Sequence, residues 1–148
     1  MRHVITFLAT GAYVGYLPIA PGTFGSLLAI PLLYGLACAR LAPVVLAAGL
    51  VLFSALAMAI CQRAGAEYGD PDSGTIVLDE VCGMLVAGAL IVPTTLSLAL
   101  AFVLFRLFDI VKPFPARYLD RHVRNGVGVV GDDLVAGLYA NLLVRVLT

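Results

Sequence analysis

The chain has 148 residues, a formal net charge of zero, 61% hydrophobic and only 12% charged residues, and a mean hydropathy of +1.04. Soluble domains carry about a quarter charged residues, so there is too little polar surface here to coat a soluble globule, and a membrane protein is the leading class. Zero net charge without any block of like charges argues against nucleic acid binding as a main activity, and the length favours one domain, residues 1–148.

The N-terminus reads Met1-Arg2-His3 and then an apolar run, Val4–Leu17. That pattern imitates a signal peptide. However, no small-residue cleavage site leads into a polar sequence; Pro18 to Thr23 and more apolar residues follow, so the run is expected to belong to the mature fold. Four further apolar blocks come next. Phe24–Leu41 is broken by Pro31. Val44–Cys61 carries no charge over about 18 residues, close to the roughly 20 that span a bilayer. Val81–Val111 is interrupted by Pro93-Thr94-Thr95, and Val127–Leu147 by Gly131-Asp132-Asp133. Strand-like alternation is weak, and runs rich in Leu and Ala point to helices. The expected fold is all-α: a polytopic helical membrane bundle with short or broken helices.

Pro93 with the two threonines reads as a turn, with Thr94 or Thr95 capping the next helix. Val81–Val92 and Leu96–Val111 then form an antiparallel hairpin whose open ends bring Asp79 and Glu80 near Asp109. The first arm, about 12 residues, is short for a full span. Parity of the blocks puts the long polar segments Tyr16–Ser26, Arg63–Thr75 and Lys112–Gly131 on one face, and the short connections Ala39–Pro43 and Pro93–Thr95 on the other. The first face receives Arg63, Lys112, Arg117, Arg121 and Arg124, with Arg106 close by; the second receives mainly Arg40 and Arg145. Basic excess marks the cytoplasmic side.

At least five of the nine acidic residues fall at ends of apolar runs: Asp79 and Glu80, Asp109, and Asp132 and Asp133. An ionised carboxylate beside a bilayer is costly unless it is paired or holds a cation. Five of them at recurring element ends read as one assembled, cytoplasm-facing site, and oxygen-rich clusters suit a hard cation such as Mg2+. Capping and the helix dipole account for one acid of the Asp79–Glu80 pair. They do not account for Asp109, which sits at a helix C-terminus where a negative charge opposes the dipole. Lys112 is three residues on, either neutralising Asp109 or reserved for phosphate. Asp132 reads as a helix N-cap, which leaves Asp133 free to point into the site. Between Leu17 and Ser26, Pro21 and Gly22 set a turn while Thr23 and Ser26 carry hydroxyls. That is either a phosphate cradle at a helix N-terminus or a plain turn with a Thr or Ser cap. The stretch Arg117–Arg124 is a solvated loop or a contact for anionic head groups.

Cys38, Cys61 and Cys82 have no CxxC spacing and read as small buried hydrophobes. His3 and His122 lack ligand-spaced partners, although His122 lies in the same long segment as Lys112. No Ser-His-Asp pattern, Walker loop or GxGxxG occurs.

Together these segments resemble the phosphatidylglycerophosphatase A family. The matching pieces are Pro21-Gly22-Thr23-Phe24-Gly25-Ser26; Asp79-Glu80 with Gly83; Phe105-Arg106 with Phe108-Asp109 and Lys112-Pro113-Phe114-Pro115; and Gly128 with Asp132-Asp133 and Ala136-Gly137. They follow the family's order across nearly the whole chain, with Asn125 standing where the family pattern has a glycine. The resemblance implies a multi-pass lipid phosphatase of the bacterial inner membrane, dependent on Mg2+, converting phosphatidylglycerophosphate to phosphatidylglycerol. On that reading Asp79, Glu80, Asp109, Lys112 and Asp133 are catalytic, and Asp79, Glu80, Asp109, Asp132 and Asp133 hold metal. Thr23, Ser26, Arg106 and Lys112 bind the phosphate. Three rivals are a carrier of ions or protons, a phosphatase for another lipid phosphate, and a non-catalytic assembly protein whose acids only cap helices.

Overall fold

The computed structural model describes residues 2–148. It is all-helical, with no strand among the described residues: α1 (Arg2–Ala9), a 3-10 turn at Val14–Tyr16, α2 (Pro21–Cys38), α3 (Pro43–Tyr68), α4 (Leu78–Ala87), α5 (Thr95–Val111), α6 (Ala116–His122) and α7 (Gly126–Leu147). Helices α2, α3 and α7 are long and apolar enough to cross a bilayer. Much of their apolar surface is exposed, as at Val44, Val51 and Leu138, which suits lipid rather than water as the surrounding medium.

The N-terminal run is shorter than its hydropathy suggests. Buried Thr10 donates from Oγ1 to Thr6 O and accepts from Tyr13 N, and Gly11, Ala12 and Tyr13 all take left-handed φ, so the helix stops at Ala9. Ile5 and Ala9 are nonetheless buried with Ala57, Cys61 and Ala64 of α3. Pro31 does not break α2, which runs through it. Helix α3 passes Cys61 and Arg63 before left-handed Gly69 ends it. Cys61 and Cys82 are buried as expected, whereas Cys38, the last residue of α2, is exposed.

The α4–α5 hairpin forms as expected. Thr94 caps α5, accepting from Ser97 N at 3.1 Å while the Ser97 hydroxyl accepts from Thr94 N at 2.9 Å. Its first arm departs from expectation: α4 ends at Ala87, not Val92, which makes it about 15 Å long. Eight of its ten residues are buried. A helix ending inside a bundle leaves carbonyls that no water can reach, and α7 supplies the missing donors. Asn141 Nδ2 lies 3.1, 3.0 and 2.8 Å from the carbonyl oxygens of Val86, Ala87 and Ala89. Arg145 Nη2 donates to Ala89 O and Leu90 O, and Arg145 Nε donates to Asn141 Oδ1. Arg145 thus ties down the turn that follows α4 and braces Asn141.

The largest departure lies in the last segment. The interruption expected at Gly131-Asp132-Asp133 is absent: α7 starts at Gly126 and continues through all three residues. Asn125 is the cap, accepting from Val127 N and Gly128 N at 2.9 and 3.1 Å, and Gln62 Oε1 accepts from Gly126 N at 2.7 Å. Asp132 therefore caps nothing, and Asp133 sits about 10 Å along the helix rather than at its end. The basic stretch before it is not a loop either; it contains α6.

Replacing Asn141 by Leu keeps the side-chain bulk but strips donors from the end of α4. The expected cost is about 1–3 kcal/mol, read as a lower unfolding midpoint in detergent.

Candidate active site

Two glycines decide how closely α4 and α7 approach. A Cβ at Gly137 would collide with Gly83 O, and one at Gly83 would collide with the Phe105 ring and lie 2.7 Å from Asp133 O. With hydrogens there instead, the two backbones touch, and Asp133 faces the first turn of α4.

That turn carries Asp79 and Glu80. Neither caps the helix, whose N-cap is Val77 with no side-chain cap bond, so of the expected explanation for one of these acids only the dipole remains. One carboxylate oxygen from each of Asp79, Glu80 and Asp133 lies within 4.8 Å of the others. Asp79 and Asp133 are buried and Glu80 is half-buried. Asp79 Oδ1 and Glu80 Oε2 are enclosed without any hydrogen-bond partner among the described residues. Buried carboxylate oxygens left unpaired are strongly disfavoured unless a proton or a cation joins them. Three carboxylates at this spacing, two of them with orphaned oxygens, fit a hard divalent cation that takes oxygen ligands, Mg2+ included.

Arg106 and Lys112, the expected phosphate-binding cations, are both engaged by acids outside this triad. Arg106 Nη1 pairs with Asp109 Oδ2 at 2.7 Å, one helical turn away, and reaches Ser26 Oγ at 3.5 Å. Ser26 is fully buried and donates to Gly22 O at 2.8 Å. Helix α2 starts at Pro21 after left-handed Ala20, so Thr23 and Ser26 are not caps; they lie in its first two turns, Thr23 half-buried. A Cβ at Gly22 would strike Glu80 Oε1 and lie 3.3 Å from Arg106 Nη1, so this glycine admits both groups over the start of α2.

Asp109 does not pair with Lys112. Lys112 terminates α5 at φ 47° and ψ 66°, which turns its side chain off the face it would share with Asp109 on a continuing helix. Its ammonium instead bonds Asp120 Oδ1 on α6 and Asp132 Oδ2 on α7. Half-burial works against its charge, but the two carboxylates prevail and hold its pKa above the ordinary lysine value. Of the five expected metal ligands, then, three converge, Asp79 and Glu80 each with one unpartnered buried oxygen, while Asp109 and Asp132 are engaged by cations. His122 lies outside: its ring stacks on Tyr118 at 4.4 Å and its Nδ1 is 3.1 Å from Tyr118 O.

The sequence reading passed over Asp120, whose signal is a lone acid amid Arg117, Arg121 and Arg124. Asp120 and Asp132 also wall a cleft of about 300 Å³ that Asp70, Asp72, Arg121 and Arg124 line.

Residues 7–148 match the family described as Phosphatidylglycerophosphatase A. A phosphatidylglycerophosphatase A of Haemophilus influenzae is 39% identical over 149 residues, covering 97% of this chain and 88% of that protein. The corresponding protein of Escherichia coli K12 is 38% identical over 135 residues, 88% of this chain and 76% of its own length. A putative phosphatidylinositol-3-phosphatase of Bacteroides thetaiotaomicron is 36% identical over 146 residues, 94% and 90% of the two chains. No solved structure matches.

Backbone contact at Gly137 cannot be relieved by a rotamer change. Gly137→Ala should destabilise the fold by about 1–3 kcal/mol. Gly35→Ala, in a helix where a Cβ meets open space, should be neutral or slightly stabilising. Unfolding of both variants in detergent checks the contrast.

Proposed function

The chain belongs to the phosphatidylglycerophosphatase A family, and we propose that it hydrolyses the terminal phosphomonoester of phosphatidylglycerophosphate, releasing phosphatidylglycerol and inorganic phosphate. The observation that carries this reading is the convergence of Asp79, Glu80 and Asp133 with two orphaned oxygens, with Arg106 over Gly22 beside Glu80 and Lys112 bonded to Asp132, the neighbour of Asp133. In this reading the three carboxylates hold Mg2+, which when bound supplies positive charge against the phosphoryl oxygens. The Arg106 guanidinium and the Lys112 ammonium add fixed charge on either side, where negative charge grows as the glycerol oxygen departs. Ser26 steers the guanidinium, and Thr23, half-open on the first turn of α2, offers a hydroxyl to the phosphate. Burial of Asp79 and Asp133 keeps water away and so strengthens each of these interactions.

The proposed setting is a bacterial inner membrane with the site open to the cytoplasm. Its support is the charge asymmetry: Arg63, Arg117, Arg121 and Arg124 all lie in segments on the Lys112 side. Arg145 on the other side is already engaged by the carbonyls of the turn after α4. The Bacteroides relative named for a phosphoinositide favours one second reading, a different lipid phosphomonoester as substrate. The carrier and assembly readings have no comparable support.

The deciding assay measures phosphate release by purified protein in detergent, with Mg2+ or with EDTA. Phosphatidylglycerophosphate is compared with phosphatidic acid, phosphatidylinositol 3-phosphate and glycerol 3-phosphate. Mg2+-dependent release from phosphatidylglycerophosphate is expected; release from the phosphoinositide alone would favour the second reading. Asp79→Asn should lower turnover by at least about a hundredfold, the scale of losing one charged stabilising group, without lowering the unfolding midpoint. Normal turnover in that variant would remove Asp79 from the site.

A further inference from the structure

The reaction as described makes no use of Asp120, yet Asp120 helps fix where the active-site ammonium lies. Lys112 Nζ is bonded by Asp120 Oδ1 and Asp132 Oδ2. An ammonium has three N–H donors; the two carboxylates occupy two and leave one. Lys112 is also left-handed, a backbone state that disfavours side chains other than glycine and persists where the surroundings over-determine it. Asp132 is itself tied down, because its Oδ1 accepts the backbone N–H of Asp133 at 3.1 Å. The ammonium is thus joined to the triad through one side chain and one peptide. It stays partly open, with a side-chain exposure of 26% against 6% for Asp132.

We propose that Asp120 is a positioning residue that acts through Lys112, holding the ammonium against Asp132 so that its third N–H meets an oxygen of the lipid phosphomonoester; this rests on the phosphatase reading above. A plain anchoring role for Asp120 is less well supported, because α6 is secured by other means. Ala116 is fully buried, Arg117 Nη2 donates to Val111 O at 3.1 Å, and the Tyr139 hydroxyl donates to Phe114 O at 2.8 Å.

Lys112 is the only lysine in the chain, so an amine-directed acylating reagent followed by peptide mass spectrometry reads it apart from the N-terminal amine. Asp120→Asn should raise its acylation rate about tenfold, the factor expected for losing one charge-assisted hydrogen bond. The same variant should lower kcat about tenfold and leave KM within about twofold, because a misplaced charge is felt mainly in the transition state. Asp120→Glu should restore both. In a Lys112→Met background, Asp120→Asn should have no further effect on kcat, since the residue it acts through is gone. An unchanged acylation rate, or an equal kcat loss in both backgrounds, would overturn the proposal. The acylation arm needs no substrate. A wild-type chain that releases phosphate from no lipid therefore defeats the phosphatase reading, while acylation still decides whether Asp120 holds Lys112.

Discussion

Everything at the site follows from the contact between Gly83 and Gly137. In a bilayer, lipid tails solvate a leucine as well as a neighbouring helix does, so helices associate through close packing and polar contacts, and small residues mark where backbones meet. Here the meeting point lies one turn from three carboxylates. Were α4 and α7 separated by ordinary side chains, Asp133 would stand too far from Asp79 and Glu80 for their oxygens to gather within 4.8 Å. The approach puts like charges together, a destabilising arrangement that the rest of the packing offsets.

Helix α7 serves α4 along its whole length. Asp133, Gly137, Asn141 and Arg145 recur every fourth residue and so follow one ridge of the helix. The first faces the acids at the start of α4, the second meets its waist, the third bonds its final carbonyls, and the fourth bonds the carbonyls of the turn that follows. This division of labour explains how a helix of ten residues exists inside a bundle whose neighbours are long enough to cross it. Being too short to reach both surfaces, α4 places its first turn within the protein, and a buried carboxylate pair is the result.

Composition and hydropathy made the helical membrane class legible, and the α4–α5 hairpin with a threonine cap followed from turn chemistry, which left Thr94 and Thr95 as alternatives until the structure chose Thr94. The candidate acids were equally visible, because carboxylates are conspicuous in so apolar a chain. Legibility ended where tertiary contacts overrode local preference. Glycines at 126, 128 and 131 argue against helix by propensity. However, a Cβ at Gly126 would strike Met58 O and one at Gly128 would strike Val123 O, so the glycines are there for close packing within a helix. The i,i+3 spacing of Asp109 and Lys112 suggested a pair, but one left-handed backbone step at Lys112 sends the ammonium to α6 and α7. The ridge from Asp133 to Arg145 was in plain view as a four-residue repeat. Its meaning depended on α4 ending at Ala87, which hydropathy placed five residues later.

The pairing of the cations bears on why the triad remains available. Six carboxylates, those of Asp79, Glu80, Asp109, Asp120, Asp132 and Asp133, share this region with Arg106 and Lys112, while Arg121 and Arg124 line the neighbouring cleft. Left to themselves, two flexible cations would settle on the most negative point, the triad, and neutralise it. The fold forestalls this by giving each a partner elsewhere: Asp109 one turn from Arg106, and Asp120 with Asp132 around Lys112. Those ion pairs are half-buried and contribute little to stability as isolated pairs. Their larger consequence is spatial. They tie each cation to carboxylates outside the triad, and one oxygen each of Asp79 and Glu80 stays without a protein partner among the described residues. In the proposed reaction that division has a use: the three carboxylates would hold the cation, and Arg106 and Lys112 would meet the phosphate.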